Sequence, residues 1–444
     1  MIVSKFGGTS VGTFQAMKNS AEIVGSDTNR KLIVISATSG TTNDLVALGI
    51  SELDATSQEE ILIRIKERHL SITNQLENKE EAERDFKEEL TQLRQHLEQV
   101  ARDKRWKDRL VSFGELMSTK IFIHVLKENG VDAKWLDARE FLKTDSNFGN
   151  AVVDLPKLKK NISEKVNSDS VYLTQGFIGS DIFGNTTTLG RGGSDFSAAL
   201  FAEALEAEKL EIWTDVAGIY STDPRVVKEA RPIKEITFDE AAELSVFGGK
   251  VLHPATLKPA IRGKVDVRVA STSEPEKEGT LIVHESLEKP VIRALSLRKN
   301  QTLLTVKSLA MLHQYGFLAK LFQVLANYKI SVDLVSTSEV SVSLTLDTAV
   351  NASNKVELTS DVINELKKFC EVKIEKEYSL VALIGNNLNK TAGISGAIFD
   401  KLKDFNIRMV CHGASENNIC FLADEPEGEA IVKLLHKEFI EVQE

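Results

Sequence analysis

Lys5 and the two glycines behind it are the first residues whose types and spacing could do chemistry. Ile2-Val3 reads as a short buried strand, Lys5-Phe6-Gly7-Gly8-Thr9-Ser10 follows at once, and a helical pattern begins near Gly12. A strand, a glycine pair, hydroxyls and a helix start are the parts of a phosphate cradle. Without a Cβ, Gly7 and Gly8 let backbone N–H groups approach an anion, and the helix N-terminus favours negative charge. Lys5 would add a full positive charge where phosphoryl oxygens gather charge during transfer. The spacing is neither that of a Walker A loop nor G-x-G-x-x-G, and an ordinary tight turn after an edge strand would use the same residues.

Further constellations follow along the chain. Lys31-Leu-Ile-Val-Ile35 is a continuous apolar run that ends in Ser36-Ala-Thr-Ser-Gly-Thr-Thr-Asn43. Those hydroxyls make either a ligand loop at the end of a buried strand or a polar connection capped by Asn43 or Asp44. Val111-Ser-Phe-Gly-Glu115 opens an apolar helix, and Glu115 in its first turn is favoured there electrostatically. Thr186 to Asp195 packs three glycines around Arg191 at another helix entrance. Arg191 can grip a carboxylate in a bidentate fork; Asp195 either caps the helix or holds an ammonium. Thr214-Asp215 ends a strand, and Tyr220-Ser-Thr-Asp-Pro-Arg225 reads as a turn. Lys250, beside two glycines, is either a second phosphate-side cation or a surface lysine. His253 before Pro254 reads as structural.

The elements that must position these residues form an alternating β/α series. Strands are expected at Ala133–Asp137, Ser170–Thr174, Leu210–Trp213 and Val265–Val269, with two or three amphipathic helices across residues 57–110 as a charged flank. Residues 272–290 read as a linker. Beyond them an internal repeat runs at an offset of 77 residues, pairing Gly316 with Gly393, Phe322 with Phe399, Ile330 with Ile407 and Glu339 with Glu416. Each copy reads as a βαββαβ module, and the two are expected to pack sheet to sheet or across a dimer.

Composition bounds the partners. The 444 residues carry a formal charge of −10 with no long Lys/Arg cluster, which argues against nucleic acid and anionic membranes. No apolar run approaches the ~20 residues of a membrane span, and the N-terminus enters a strand without a secretory h-region. Three cysteines (Cys370, Cys411, Cys420) without metal-like spacing suggest a reduced, cytoplasmic setting. Eight dispersed histidines make a histidine metal site improbable.

Lys5-Phe-Gly-Gly-Thr-Ser-Val11, Thr186 to Asp195, Trp213-Thr-Asp215 and Lys250-Val-Leu-His-Pro254, in that order, resemble aspartate kinase (aspartokinase) of the single-function, lysine-sensitive type. The resemblance covers essentially the whole chain, with Gly249 standing where that type often has alanine. It implies an α/β amino-acid kinase fold, with a mainly parallel sheet between helices, over 1–285. A linker at 286–290 and two ferredoxin-like ACT domains at 291–375 and 376–444 would follow. The implied reaction makes 4-phospho-L-aspartate from L-aspartate and ATP with Mg²⁺, a first step toward lysine, threonine and methionine.

By that resemblance Lys5, Arg191 and Asp195 are catalytic. Ser36, Thr42, Glu115, Arg191 and Asp195 bind aspartate, Arg191 taking the α-carboxylate and Glu115 with Asp195 the ammonium. Lys5, Gly7, Gly8, Thr9, Ser10, Thr214, Asp215, Tyr220, Arg225 and Lys250 surround ATP. No protein metal site is expected; Mg²⁺ would ride on phosphates and waters.

The first repeat copy resembles a lysine-binding ACT domain, which implies feedback inhibition. Met311, Gly316, Phe317 and Leu318 would form one wall, and Ser331, Val332, Asp333, Thr337, Ser338 and Glu339 the other. Gln314 replaces the small serine expected there. A homodimer through the ACT domains is expected. Two other readings are a kinase of the same fold acting on an acetylated amino acid or nucleotide, and a catalytically silent amino-acid sensor. The length leaves no room for a fused homoserine dehydrogenase.

Overall fold

The computed structural model describes residues 1–50, 53–248, 254–312, 315–346 and 358–442. They separate into two compact units. The first holds the chain from Met1 to Ile219, Pro232–Ser245 and the later segment ending at Ser286; the second takes in Tyr220–Arg231 and the chain from Leu287 onward.

In the first unit the elements run β1 (Ile2–Phe6), α1 (Phe14–Gly25), β2 (Arg30–Ile35), α2 (Thr41–Leu48), α3 (Ala55–Thr73), α4 (Lys79–Leu97) and α5 (Lys104–Glu128). Next come β3 (Ala133–Leu136), α6 (Ala138–Phe141), α7 (Leu155–Lys165), β4 (Val171–Gln175), β5 (Ile178–Ser180), β6 (Thr186–Thr188), α8 (Gly193–Ala204) and β7 (Lys209–Thr214). β8 (Glu235–Thr237), α9 (Phe238–Phe247), α10 (Pro254–Gly263), β9 (Asp266–Ser271) and β10 (Thr280–Val283) complete the series.

The main sheet has the order β3-β4-β2-β1-β7-β9-β10-β8 and is parallel apart from the β9–β10 pair. β1 is buried along its whole length, as a strand covered on both faces must be. The chain leaves β1 toward β2 on one side and returns to β7 on the other, which makes β1 the switch point where open α/β sheets bind ligands.

Two features of this unit differ from the sequence reading. α5 starts at Lys104, capped by Asp103, whose carboxylate accepts the Trp106 N–H at 2.8 Å. Glu115 therefore sits in the middle of a 25-residue helix and not in a first turn. The charged stretch before Val111 hid the start, because Trp106 and Leu110 already face the core. The short hairpin β5–β6 was not expected; three-residue strands carry too little alternation to be seen.

In the second unit β11 (Ala294–Lys307), α11 (Phe317–Asn327), β12 (Val332–Thr337), β13 (Ser341–Leu346) and α12 (Ser360–Lys367) lead to β14 (Glu371–Ile384). α13 (Ile394–Lys401), β15 (Ile407–His412), β16 (Asn418–Asp424) and α14 (Gly428–His436) follow. Gly316 and Gly393 precede α11 and α13 at φ of +85° and +81°, a conformation that explains the repeated glycine.

Within the chain the repeat copies do not pack sheet to sheet. They share one six-stranded antiparallel sheet, β12-β13-β11-β14-β16-β15. β11 and β14 are 14 residues each. Leu303–Lys307 pairs with the start of β14 and with β13, whereas Ala294–Arg298 pairs with the end of β14.

Packing thus crosses the boundary expected at 375/376. Ile292 and Leu295 lie in a core with Val381, Phe421 and Leu435, and Leu304 and Val306 lie in another with Leu321 and Leu344. Val226 and Val227 also pack on the Phe421 core, so the excursion 220–231 belongs to this unit. His436 clamps it: the imidazole Nε2 is 2.9 Å from Ser221 Oγ and Nδ1 is 2.8 Å from Glu441. This Ser-His-Glu series is buried at Ser221 and His436, and the Ser221 hydroxyl also accepts the Arg231 N–H, so it serves as a clamp and not as a nucleophile.

A polypeptide of residues 376–444 alone lacks the strand segment 294–298. It is expected to show no cooperative thermal unfolding, whereas residues 287–444 together unfold in one transition; scanning calorimetry of both checks this.

Candidate active site

Four neighbouring parallel strands end at one level, and their hydrogen-bond ladder runs one residue past the sheet. Gly7 N–H donates to the Trp213 carbonyl (3.0 Å), Ser36 N–H to the Phe6 carbonyl (3.2 Å) and Gly176 N–H to the Ile35 carbonyl (3.0 Å). The loops after β1, β2, β4 and β7 therefore open side by side. Gly8 passes so close to the β2 loop that a Cβ would stand 2.8 Å from the Ala37 carbonyl oxygen, and the Ser39 N–H donates to the Gly8 carbonyl.

Between the first loops and the start of α8 lies a cleft of about 510 Å³. Lys5, Gly8, Ser36, Thr42, Glu115, Arg191 and Asp195 line it, so seven of the residues singled out in the sequence meet there. Asp195 does not cap α8. Gly192, at φ +69°, stands at the N-cap, and Asp195 reaches Lys5 instead, with Nζ and Oδ1 2.5 Å apart.

Glu115 is placed by the docking of α5 on the β2 loop. Gly114 lets the helix approach Ala37, the Ser118 hydroxyl donates to the Ser36 carbonyl (2.8 Å), and Glu115 Oε1 accepts the Ala37 N–H (3.2 Å). Its other oxygen, Oε2, is buried without a hydrogen-bond partner. Burial pushes the Glu115 carboxyl up to about 8, against the lowering effect of the Ala37 amide.

The remaining expected residues are placed differently. Thr9 is exposed at the head of a short 3₁₀ turn. Ser10 turns inward: its hydroxyl lies 3.1 Å from Thr272 Oγ1 and donates to the Trp213 carbonyl at 3.4 Å, so it holds the loop and does not face the cleft. Gly7 likewise commits its N–H to Trp213. The Thr214 hydroxyl donates to Asp215. Tyr220 and Arg225 belong to the second unit, where Arg225 is exposed and paired with Asp223 at 2.7 Å. Lys250 and His253 lie outside the described residues.

Of the lysine set, Met311 and Phe317 pack on the core of the first module, Phe317 edge-on to Phe369 at 5.8 Å. Gly316 caps α11, Leu318 is in its first turn, and Ser331 with Val332 enters β12. Asp333 is 2.9 Å from Arg298, and Thr337, Ser338 and Glu339 lie at the exposed β12–β13 turn.

Sequence reading missed Asp108, Thr38 and Phe177. Asp108, two turns before Glu115 on α5, accepts the N–H groups of Gly149 (2.9 Å) and Thr188 (2.7 Å) and so ties down the rim beside Gly190 and Arg191. Thr38 lines the cleft with a buried hydroxyl that has no partner. Phe177 holds a left-handed φ of +68°, a strained setting for a bulky residue. Among the described residues no group of three or more His, Cys, Asp or Glu side chains could hold a metal ion. No described helix is long and apolar enough to cross a membrane.

Residues 1–271 match the amino acid kinase family and residues 381–439 match the ACT domain. This is the class that the switch-point cleft and the ferredoxin-like modules define. The chain is 48% identical to lysine-sensitive aspartokinase 3 of Escherichia coli, over 99% of both chains. It is 38% identical to chloroplastic aspartokinase 1 of Arabidopsis thaliana, over 99% of this chain and 80% of the relative. The structure of E. coli aspartokinase III in complex with aspartate and ADP superposes at a TM-score of 0.88, with 47% identity, covering 98% of this chain and 99% of that one. The same enzyme in complex with lysine and aspartate gives 0.86, with 46% identity and 99% of both chains covered. Within the amino acid kinase family, the chain belongs to the aspartokinases.

The raised pKa of Glu115 sets a pH dependence. Its folded value, about 8, lies above the ordinary 4.5, so the fold favours the neutral carboxyl. The contribution is fully present below 4.5 and is lost as pH rises through 8. Glu115→Gln should therefore raise the melting temperature of the ligand-free protein relative to wild type at pH 9 and leave it close to wild type at pH 5. Thermal melts at both values check the sign.

Proposed function

We propose that this aspartokinase transfers the γ-phosphoryl group of ATP to the β-carboxylate of L-aspartate in the cleft between Lys5, Glu115 and Arg191. The observation that carries the reading is the buried, unpartnered oxygen of Glu115, which lies in the same cleft as a lysine–aspartate pair and an arginine. A carboxylate held dry and half-satisfied suits an ammonium ligand, since an uncompensated buried charge is costly. The substrate ammonium would sit between Glu115 and Asp195, with the α-carboxylate on Arg191 and the β-carboxylate toward Lys5. Ser36, Thr38 and Thr42 would supply hydroxyls around it.

The β-carboxylate is already ionised at neutral pH, so no general base is needed. The barrier lies in bringing two anions into line, which positioning and fixed positive charge lower. In the structure Lys5 is paired with Asp195. An incoming ammonium competes for Asp195 and releases Lys5 toward the transferring phosphoryl group. Gly8 and Thr9 would face the phosphates, Gly7 and Ser10 would hold the loop in place, and Thr214, Asp215, Tyr220, Arg225 and Lys250 are assigned to the nucleotide. The two cleft carboxylates, Glu115 and Asp195, are taken by the substrate ammonium in this reading, so Mg²⁺ would be held mainly by the nucleotide phosphates and water, where it neutralises phosphate charge. A cytoplasmic setting accords with free cysteines.

Lys5→Ala tests the site. Its kcat should fall at least ~100-fold while the aspartate KM moves much less, because the charge acts mainly in the transition state. A variant that kept half of its kcat would overturn the assignment.

We also propose that lysine inhibits through the first module, as the lysine complex of the E. coli relative supports. The start of α11 would receive the carboxylate, Asp333 and Glu339 the ammonium groups, and the β12 side of the module a second subunit. Lysine would have to compete with Arg298 for Asp333. Initial rates with lysine, threonine and methionine added separately should show inhibition by lysine, relieved by Asp333→Ala with kcat intact; inhibition by threonine alone would reject the reading.

A further inference from the structure

Glu211 is a buried carboxylate that takes no part in the cleft. On β7 it shares a sheet face with Trp213, two residues on. In the β1–β7 register Ser4 lies opposite Glu211, Lys5 opposite Ile212 and Phe6 opposite Trp213, so Lys5 projects from the other face. Glu211 Oε2 accepts three hydrogen bonds, from the Ser4 hydroxyl (2.9 Å), Arg30 Nε (2.7 Å) and the Trp213 indole N–H (3.0 Å). Oε1 accepts from Arg30 Nη2 (3.2 Å) and Arg268 Nη1 (3.5 Å). Together these donors hold the Glu211 carboxyl below its ordinary range, against burial.

The consequence is a clamped indole. The guanidinium carbons of Arg30 and Arg268 lie 5.6 and 5.1 Å from the Trp213 ring centroid. Phe6 stacks on the same ring at 6.1 Å with an interplanar angle of 7°. An apolar set of similar volume would fill this face at no cost in buried charge; the ionic set adds one orientation of one ring. That residue's carbonyl is the acceptor of the Gly7 N–H and of the Ser10 hydroxyl. The clamped ring and this acceptor belong to one residue, so the clamp bears on the carbonyl that fixes the Lys5–Ser10 loop.

We propose that Glu211 is a positioning residue for phosphoryl transfer: through the Trp213 indole it fixes the carbonyl that holds Gly7, and so sets the height of the Lys5–Gly8 loop against the nucleotide phosphates. The inference rests on the reading of that loop as the phosphate side of the cleft. Arg30 extends the clamp to the end of α1, donating to the Ile23 carbonyl and to Ser26 Oγ (2.9 Å). The loop is thus braced from both of its flanking elements by one charge cluster.

Steady-state kinetics of the full chain test it. Trp213→Phe removes the indole N–H and keeps a ring for Phe6 and the two arginines; Glu211→Gln keeps size and removes charge. Each should lower kcat/KM for MgATP about tenfold, the order expected for a sub-ångström displacement of a preorganised group. The aspartate KM should stay within about twofold, and the double variant should be no worse than the poorer single one, since both act through one bond. Wild-type ATP kinetics in Trp213→Phe, or multiplicative losses in the double variant, would overturn the proposal and leave the cluster a stabilising one only. Should Glu211→Gln fail to fold, Trp213→Phe decides alone. Lys5→Ala separates the two levels: if it retains kcat, the loop reading itself falls. If Lys5→Ala loses kcat and Trp213→Phe does not, only the positioning role of Glu211 falls.

Discussion

The first unit depends on the hydrogen-bond ladder that continues past the ends of β2, β1 and β7. Parallel strands in register must end at the same height, and one more amide on each side decides where the following loops begin. Gly7 is tied to Trp213 and Ser36 to Phe6, so the glycine pair and the hydroxyl loop are neighbours by backbone geometry, whatever their side chains do. α5 and α8 then bring Glu115 and Asp195 to the same opening. Gly114 and Gly8 are small for the same reason: each stands where another backbone or loop comes within the radius of a methyl group.

The electrostatics of the cleft follow from this crowding. It contains two carboxylates, a lysine and an arginine in a small volume. Asp195 is satisfied by Lys5, while Glu115 has one amide and a raised pKa. A site built this way holds its negative charge in reserve. A cation placed beside Glu115 would favour its ionised form.

Much of the site was legible because its residues break local rules. Gly7-Gly8, the glycines around Arg191 and the hydroxyl run at 36–43 are poor choices for regular structure, so their presence pointed to a ligand. Asp108 was illegible for the opposite reason. It sits in a charged helical stretch, Arg105-Trp-Lys-Asp-Arg109, where one more acid looks like a solvated face. The direction of Ser10 could not be read either, since inward and outward hydroxyls look alike until Thr272, far along the chain, is folded against it. The middles of the long strands β11 and β14 are polar. Asn300 and Glu377 there hold left-handed φ of +59° and +66°, and the β11–β14 register slips between Arg298 and Leu303.

Those two long strands have a mechanical consequence. Each is a single rod whose halves belong to different cores, gripped at one end by α11 and α12 and at the other by α13 and α14. A strand is stiff along its axis, because its backbone is already close to full extension. A push along the rod in one module therefore bears on the other module. The irregular centre at 298–301 is the point where a twist, unlike a push, can be absorbed. The pair of strands transmits translation and filters rotation, so the two halves of the repeat move as ends of one lever.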